Sequence, residues 1–345
     1  MQNTESDIRN RINEQYGDII DNNAECKFPK YMMLELTNAC NDSCLFCLNS
    51  KCTRKKGFIA PAFAERILKE AYDMGTREVG LFMTGESLLD PNLERYISFA
   101  KNLGYEYVYI TTNGALLTRE RAESIVDAGI DSIKFSINAS DPKDYLLIHG
   151  RDDFDKVIEN LIYLDTLRKN GGRKFFLYIS YVVTRYSQAG KDDFVHKYEK
   201  YVDDILFYNC GDQGGLMKNE IPHLEIEADS QFSAPGICPR PFNKLFVTYE
   251  GYLTLCCVDF QNYLIAADLN KESLKDAWNN QYAKSLREKH LQHDLKGTVC
   301  GNCWANCNER AEPLRKEYAA LIDWDNWDNS GEITKRIDKW NKNEQ

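Results

Sequence analysis

The sequence predicts an α/β protein: a partial (β/α)6 TIM-like barrel followed by a small, cysteine-rich C-terminal domain. Three observations lead there. Between residues 31 and 209, extended apolar runs alternate with amphipathic helical segments about six times. Repeated β-then-α order implies parallel strands joined by right-handed crossovers, and six such units make an incomplete relative of the eight-fold barrel. Three cysteines fall within eight residues just behind the first extended run, and six of the chain's twelve cysteines fall between residues 238 and 310. A chain of 345 residues holds one large unit and a smaller one with ample core.

Composition narrows the function classes. Forty-three basic residues against 53 acidic ones give a net charge of −10, with no basic arm, which argues against general nucleic-acid binding. No apolar run reaches the roughly eighteen residues of a spanning helix, so no membrane is expected. Residues 1–22 lack the apolar core of a secretory signal. Cysteines at metal-ligand spacings without an export signal point to metal or cluster ligation in a reducing cytoplasm, not to disulfides.

Each element follows in order. Residues 1–30 form a helical extension, with Ile8, Ile12, Tyr16, Ile19 and Ile20 on one face. Residues 31–37 are extended. Pro61 opens a helix that Gly75 stops, and residues 79–84 make the second strand. A helix over 92–103 ends at Gly104. The Tyr/Val/Ile-rich run 105–112 is the third strand. Thr118 caps a helix closed by Gly129, and 130–137 is the fourth strand. A helix over 154–169, a strand over 175–183, a helix from Lys191 and a strand over 205–208 complete the barrel. Residues 210–237 lack periodicity and read as a linker or a loop over the active site. Residues 246–249 and 252–255 flank Glu250-Gly251 as a hairpin. The small domain occupies 238–310, and a helical tail with Trp324, Trp327 and Trp340 occupies 311–345, without evident chemistry.

The stretch Cys40-Asn41-Asp42-Ser43-Cys44-Leu45-Phe46-Cys47 brings three thiols into one short loop. A closed zinc site or ordinary iron–sulfur cluster takes four protein ligands. On spacing alone the loop is either a zinc loop borrowing a fourth ligand such as Cys52, or a three-thiolate site with an open corner. With Phe46 just before the third cysteine, it resembles the CxxxCxxC signature of the radical S-adenosylmethionine (SAM) superfamily. That resemblance implies a 4Fe–4S cluster held by Cys40, Cys44 and Cys47, its fourth iron chelated by SAM, and hydrogen-atom abstraction by a 5′-deoxyadenosyl radical. Thr84-Gly85-Glu86-Ser87 is similar to the family's GGEP turn, with Thr for the first Gly and Ser for the Pro; Gly85 and Glu86 then face the SAM amino group. Thr112-Asn113-Gly114 resembles the TNG segment that supports the cofactor. Ser136 matches the serine aimed at SAM, and Arg151 the arginine paired with its carboxylate, although the spacing between these two exceeds the family's. His149 reads as a structural hydrogen-bonding residue. Lys134 and Arg185, charged residues near strand ends, are in reach of the barrel mouth but read as solvated, and neither is assigned a catalytic role.

Cys238-x12-Gly251-x4-Cys256, Cys300-Gly301-Asn302-Cys303, and the segment Ser273-Leu274-Lys275-Asp276-Ala277-Trp278-Asn279 resemble the C-terminal extension called SPASM, or its shorter Twitch form. The resemblance implies one auxiliary 4Fe–4S cluster on Cys238, Cys256, Cys300 and Cys303, with Cys307 and then Cys257 as reserve ligands. A structural zinc ribbon is the residue-level alternative. Asp259 is expected either to face the barrel mouth as a base or to be a solvated loop carboxylate. The implied activity is abstraction of a hydrogen atom from a small-molecule, carbohydrate- or cyclitol-like substrate, which is then oxidised, with flavodoxin or ferredoxin as reductant. The 39 residues before Cys40 leave no room for a leader-binding domain, so a peptide-modifying maturase is the alternative, and a non-enzymatic iron–sulfur electron carrier the second.

Overall fold

The computed structural model describes residues 9–11, 14, 23–171, 174–225, 237–305, 309–322 and 331–343. The helical face proposed on Ile8, Ile12, Tyr16, Ile19 and Ile20 lies outside the described residues, as do Trp324, Trp327 and Cys307.

The chain runs β1 (Tyr31–Leu34), α1 (Pro61–Asp73), β2 (Glu78–Gly80), α2 (Leu93–Leu103), β3 (Tyr107–Thr112), α3 (Arg119–Asp127), β4 (Ser132–Ser136), α4 (Pro142–His149), α5 (Phe154–Asn170), β5 (Phe176–Val183), α6 (Lys191–Tyr198) and β6 (Asp204–Asn209). It continues through α7 (Ile221–Leu224), α8 (Arg240–Asn243), β7 (Lys244–Val247), β8 (Tyr252–Thr254), β9 (Ile265–Asp268), α9 (Leu274–Trp278), α10 (Gln281–Leu291), α11 (Val299–Ala305) and α12 (Gly331–Asn343). One nine-stranded sheet has the order β6-β5-β4-β3-β2-β1-β7-β8-β9. Strands β1 to β6 pair in parallel with their neighbours. Tyr208 on β6 and Lys244 on β7, with five strands between them in that order, line one cavity, so the sheet curls into the expected partial barrel. Side chains on its outer face, such as Met32, Leu34, Ile110 and Ile133, are fully buried beneath the helices.

The structure adds to the expectations at three places. First, β7 pairs in parallel with β1 across Tyr31↔Lys244 to Leu34↔Val247, and the β7–β8 hairpin turns at Gly251 (φ 96°). The C-terminal cysteines therefore hang on an extension of the barrel sheet. Second, helix α4 intervenes between Ser136 and Arg151. Asp141 caps it by accepting from the Asp144 N–H, Pro142 sits in its first turn, and Gly150 (φ 74°) closes it. That insertion accounts for the long spacing. Third, β2 ends at Gly80, so the Gly85 turn stands on a loop.

One buried charge group ties these parts together. Glu35, just past β1, is fully buried, and its carboxylate accepts from Arg54 at 2.5 Å, from the Thr84 hydroxyl, and from the Tyr249 N–H at 3.1 Å. Arg54 also pairs with Glu250 of the hairpin. Removing one member of a buried pair leaves an uncompensated charge and costs about 3–5 kcal/mol. We therefore expect Arg54→Leu to lower the urea-denaturation free energy by about that amount; a loss below about 1 kcal/mol would show that the pair is dispensable.

Candidate active site

The loop carrying Cys40, Cys44 and Cys47 leaves β1 and is held from several sides. Ser43 N–H donates to the His149 carbonyl at 3.0 Å and Leu45 N–H to the Ile148 carbonyl at 2.9 Å, which fixes the loop on the C-terminal end of α4. Cys47 N–H closes a turn onto the Cys44 carbonyl at 3.1 Å, and Cys47 Sγ accepts from Asn49 N–H at 3.5 Å. Gln213, from the segment after β6, donates to the Phe46 carbonyl and accepts from Leu48 N–H at 3.2 Å. Burial raises all three thiols, and each is raised further by at least one of the other sulfurs or by Asp42. Such a convergent set is costly as bare thiolates and suits a cationic centre. Cys52 stands apart, donating to the Phe260 carbonyl at 3.0 Å.

Of the residues that the sequence assigns to a cofactor, Gly85, Glu86, Asn113 and Arg151 contact this loop or the residues leading into it. A Cβ on Gly85 would lie 2.4 Å from the carbonyl oxygens of both Thr37 and Ala39, so only glycine permits this approach. Glu86 N–H bonds the Ala39 carbonyl at 2.8 Å. The Glu86 carboxylate is buried and accepts from Leu88 N–H at 2.9 Å, the Thr112 hydroxyl at 2.8 Å and Asn113 N–H at 2.8 Å. It thus joins the β2 and β3 loops, a bracing role that the sequence did not reveal. Burial raises it to about 7. Asn113 Nδ2 reaches Asn41 Oδ1 at 2.9 Å, and exposed Arg151 donates to the Asn41 carbonyl at 2.7 Å. Ser136 Oγ lies 3.1 Å from Ser180 Oγ on β5.

His149 is buried, with Nδ1 2.8 Å from Asp42 and 3.6 Å from Cys44 Sγ, its other nitrogen 3.2 Å from Asn138, and its ring stacked on Tyr145 at 4.0 Å. The structural assignment from sequence fits this packing. The tail has more to do than expected: Arg336 on α12 donates to Ser43 Oγ at 2.9 Å and to its carbonyl at 2.6 Å, beside Cys44. Nothing in the local pattern of the tail signals that reach.

The second cysteine set also converges. Cys238, Cys256, Cys300 and Cys303 line one pocket. Burial raises Cys238, Cys300 and Cys303, and Cys238 opposes ionisation of the other three, while Arg240 favours it. Four sulfurs around one space with a guanidinium beside them suit a closed cluster site. Cys257 lines the barrel cavity, with its thiol hydrogen-bonded to that of Cys256. Asp259 corrects an expectation. It lines the cysteine pocket, not the barrel cavity. Its buried carboxylate accepts from Tyr263 N–H and Leu264 N–H, both at 2.8 Å, and from the Thr254 hydroxyl at 2.7 Å. The turn between β8 and β9 consumes it, leaving neither a mouth-facing base nor a solvated loop carboxylate.

Inside the curled sheet lies a cavity of about 300 Å³. Phe82, Tyr109, Tyr178 and Tyr208 form much of its wall, and Lys134 and Lys244 open onto it. Lys134 lines this cavity, half-buried, and burial lowers it to about 8. The signal was the inward alternation Ser132-Lys134-Ser136 along β4. Arg185 lies at the surface against the carbonyls of Pro222 and Glu225.

Comparisons with known proteins agree with this layout. The family model described as "Radical SAM superfamily" matches residues 34–185, and one described as "Iron-sulfur cluster-binding domain" (SPASM) matches 238–304. A probable GTP 3′,8-cyclase of Sulfolobus acidocaldarius is 31% identical over 275 residues, 70% of this chain and 85% of the relative. The S-adenosyl-L-methionine-dependent 2-deoxy-scyllo-inosamine dehydrogenase of Niallia circulans is 24% identical, over 78% of this chain and 90% of that protein. Some matches are partial: the alignment with the GTP 3′,8-cyclase of Chlorobaculum tepidum, 31% identical over 38% of this chain, spans only 39% of that protein's length. The fold resembles that of SuiB from Streptococcus suis bound to precursor peptide SuiA (TM-score 0.61, 16% identity, 86% of this chain and 76% of that one). It also resembles BtrN in complex with AdoMet and 2-DOIA (TM-score 0.55, 18% identity, 85% and 97%).

Glu86 gives a pH test. Between its ordinary 4.5 and its folded value of about 7, the folded chain holds a proton that the unfolded chain has released. Stability of the metal-free chain is therefore lost as pH rises through that window, at up to about 1.4 kcal/mol per unit. Urea titrations at pH 5 and 7.5 should show a smaller fall in Glu86→Ala than in wild type; an equal fall would contradict the assignment.

Proposed function

Since the chain belongs to the radical SAM superfamily and carries a C-terminal SPASM domain, we propose that it removes a hydrogen atom from a small, ring-bearing substrate held inside the barrel and then oxidises it. The observation that carries this reading is that Gln213 and Val258 line both the barrel cavity and the four-cysteine pocket, while Gln213 also grips the Cys40–Cys47 loop. A molecule in the cavity would lie between the two cysteine sets.

Cys40, Cys44 and Cys47 would hold the SAM-binding 4Fe–4S cluster, and Cys238, Cys256, Cys300 and Cys303 the auxiliary one. When bound, these groups supply one-electron cleavage of SAM to a 5′-deoxyadenosyl radical and an acceptor for the electron left on the substrate. The chain's own residues do the rest. Gly85 lets the backbone press close to the loop, and Glu86 and Asn113 fix the rim where the SAM amino group would sit. Ser136 and Arg151 take the nucleoside and carboxylate sides. The aromatic wall excludes water and orients the ring, so that one C–H faces the rim. A carbohydrate- or cyclitol-like substrate is supported by the extent of the match to the Niallia circulans dehydrogenase. A flavodoxin or ferredoxin in the cytoplasm would deliver the electron.

The test is anaerobic reconstitution followed by analysis. The protein should hold about eight iron and eight sulfide, falling to about four in a Cys300→Ala/Cys303→Ala double variant. With SAM and dithionite it should release 5′-deoxyadenosine, and Cys44→Ala should release none. A colourless zinc protein making no 5′-deoxyadenosine would overturn the reading.

A further inference from the structure

Resting on that reading, we infer that His290 is part of the auxiliary cluster site. Its ring N–H donates a hydrogen bond to a sulfur of the cluster held by Cys238, Cys256, Cys300 and Cys303, and so raises that cluster's reduction potential. His290 lines the same pocket as these four cysteines. It stands near the C-terminal end of α10 and is 2% exposed. Both of its ring nitrogens are buried without a hydrogen-bond partner among the described residues. An imidazole held in the core for structural reasons has at least one nitrogen satisfied; a ring with both orphaned, on the wall of a cysteine pocket, points to an acceptor that belongs in that pocket.

The ring is held in place. Arg287 lies one turn earlier on the same face of α10. It is fully buried and donates to the carbonyls of Pro241 at 2.8 Å, Trp278 at 2.9 Å and Ala24 at 3.0 Å, and to Asn279 Oδ1 at 2.7 Å. Those bonds fix the helix against three other segments of the chain. Phe242 on α8 meets the imidazole edge to face, with ring centres 6.2 Å apart and planes at 78°.

The polar side chains that share the wall are already engaged. Gln213 holds the Phe46 carbonyl and the Leu48 N–H. Both Asp259 oxygens accept, one from the Tyr263 N–H and the other from the Leu264 N–H and the Thr254 hydroxyl. Arg240 carries donors only. What the pocket holds in number is sulfur, and thiolates and cluster sulfides accept hydrogen bonds. In either protonation state an imidazole carries an N–H to give. Four cysteines complete a 4Fe–4S cluster, so the ring serves as a donor and not as a ligand.

The consequence is a change of potential. Hydrogen bonds to the sulfurs are among the features that set the potential of such a cluster. Reduction adds negative charge, and a donor beside sulfur stabilises the more negative form more strongly. His290 therefore favours the auxiliary cluster as acceptor of the electron that the proposed oxidation leaves on the substrate. It acts through the cluster and is a positioning residue.

The experiment is a redox titration of the reconstituted full chain, followed by electron paramagnetic resonance with SAM present. The auxiliary cluster is the one whose reduced signal SAM leaves unchanged; the other cluster is the internal control. His290→Phe keeps a ring beside Phe242 but has no donor. It should lower the auxiliary potential enough to change the reduced-to-oxidised ratio at least about threefold, which is about 28 mV for one electron, while the control potential stays put. His290→Gln retains an N–H and should shift it less. With histidine labelled by ¹⁵N in the ring, the wild-type auxiliary signal should carry a weak nitrogen coupling that His290→Phe lacks. Iron and sulfide content establish that each variant is loaded; if His290→Phe is not, the wild-type coupling and the His290→Gln potential decide. The inference is overturned if loaded His290→Phe shows a smaller shift or a rise, if His290→Gln falls as far, or if the wild-type coupling is absent or as strong as that of a directly bound nitrogen. With eight iron bound and 5′-deoxyadenosine released, these outcomes leave the radical SAM reading standing. Wild-type protein with about four iron and no auxiliary signal would overturn this inference and the auxiliary-cluster part of that reading together.

Discussion

The buried carboxylate of Glu35 is the constraint on which the rest of the structure depends. It sits at the end of the strand that launches the three-cysteine loop, and three separate segments converge on it: Arg54 behind that loop, Thr84 before the Gly85 turn, and Tyr249 of the C-terminal hairpin. A charge in this position cannot be left without partners, because desolvation of a lone carboxylate costs several kcal/mol. Satisfying it forces the cysteine loop, the Gly85 turn and the second cysteine unit into one relative arrangement. Arg54 carries the link onward to Glu250. The sheet repeats the same message in backbone hydrogen bonds, since β1 is flanked by β2 on one side and β7 on the other.

The cavity follows from that arrangement. Because β7 completes the curl that β6 leaves open, residues of the second cysteine unit become walls of the barrel interior. Cys257 lines that interior and Cys256 the four-cysteine pocket, with their thiols hydrogen-bonded to each other. Lys244, at the start of β7, contributes a charge that the barrel strands alone would not have supplied. The chemistry proposed for the chain is thus a product of two units that share one sheet.

How much of this was legible in the sequence depends on the range of the interaction. The Glu250-Gly251 turn is written in a short spacing, and the hairpin forms there; the cysteine loop is written in one too. The Gly85 turn was legible for a related reason: only glycine tolerates two carbonyls at 2.4 Å from its Cβ direction. Pairings across many residues were not legible. Nothing local tells that β7 will join β1, that Arg336 will reach Ser43, or that both Glu86 oxygens will be spent on neighbouring loops. Asp259 failed as a base for the same reason, its acceptors claimed by amides of a turn that forms only when the hairpin does. Lys134 stands between these cases. Its inward direction follows from β4 periodicity, but its partial burial needed the curled sheet.

The central claim is that three sulfurs leave one iron free to be chelated by SAM. Electron-nuclear double resonance on the reduced protein, with SAM labelled by ¹⁵N at the methionyl amine, reads that contact directly. A nitrogen hyperfine coupling that appears with the labelled cofactor and vanishes in Cys40→Ala is the predicted result. A reduced cluster that shows no coupling to the label, in protein that binds SAM, would mean that a fourth side chain fills the corner.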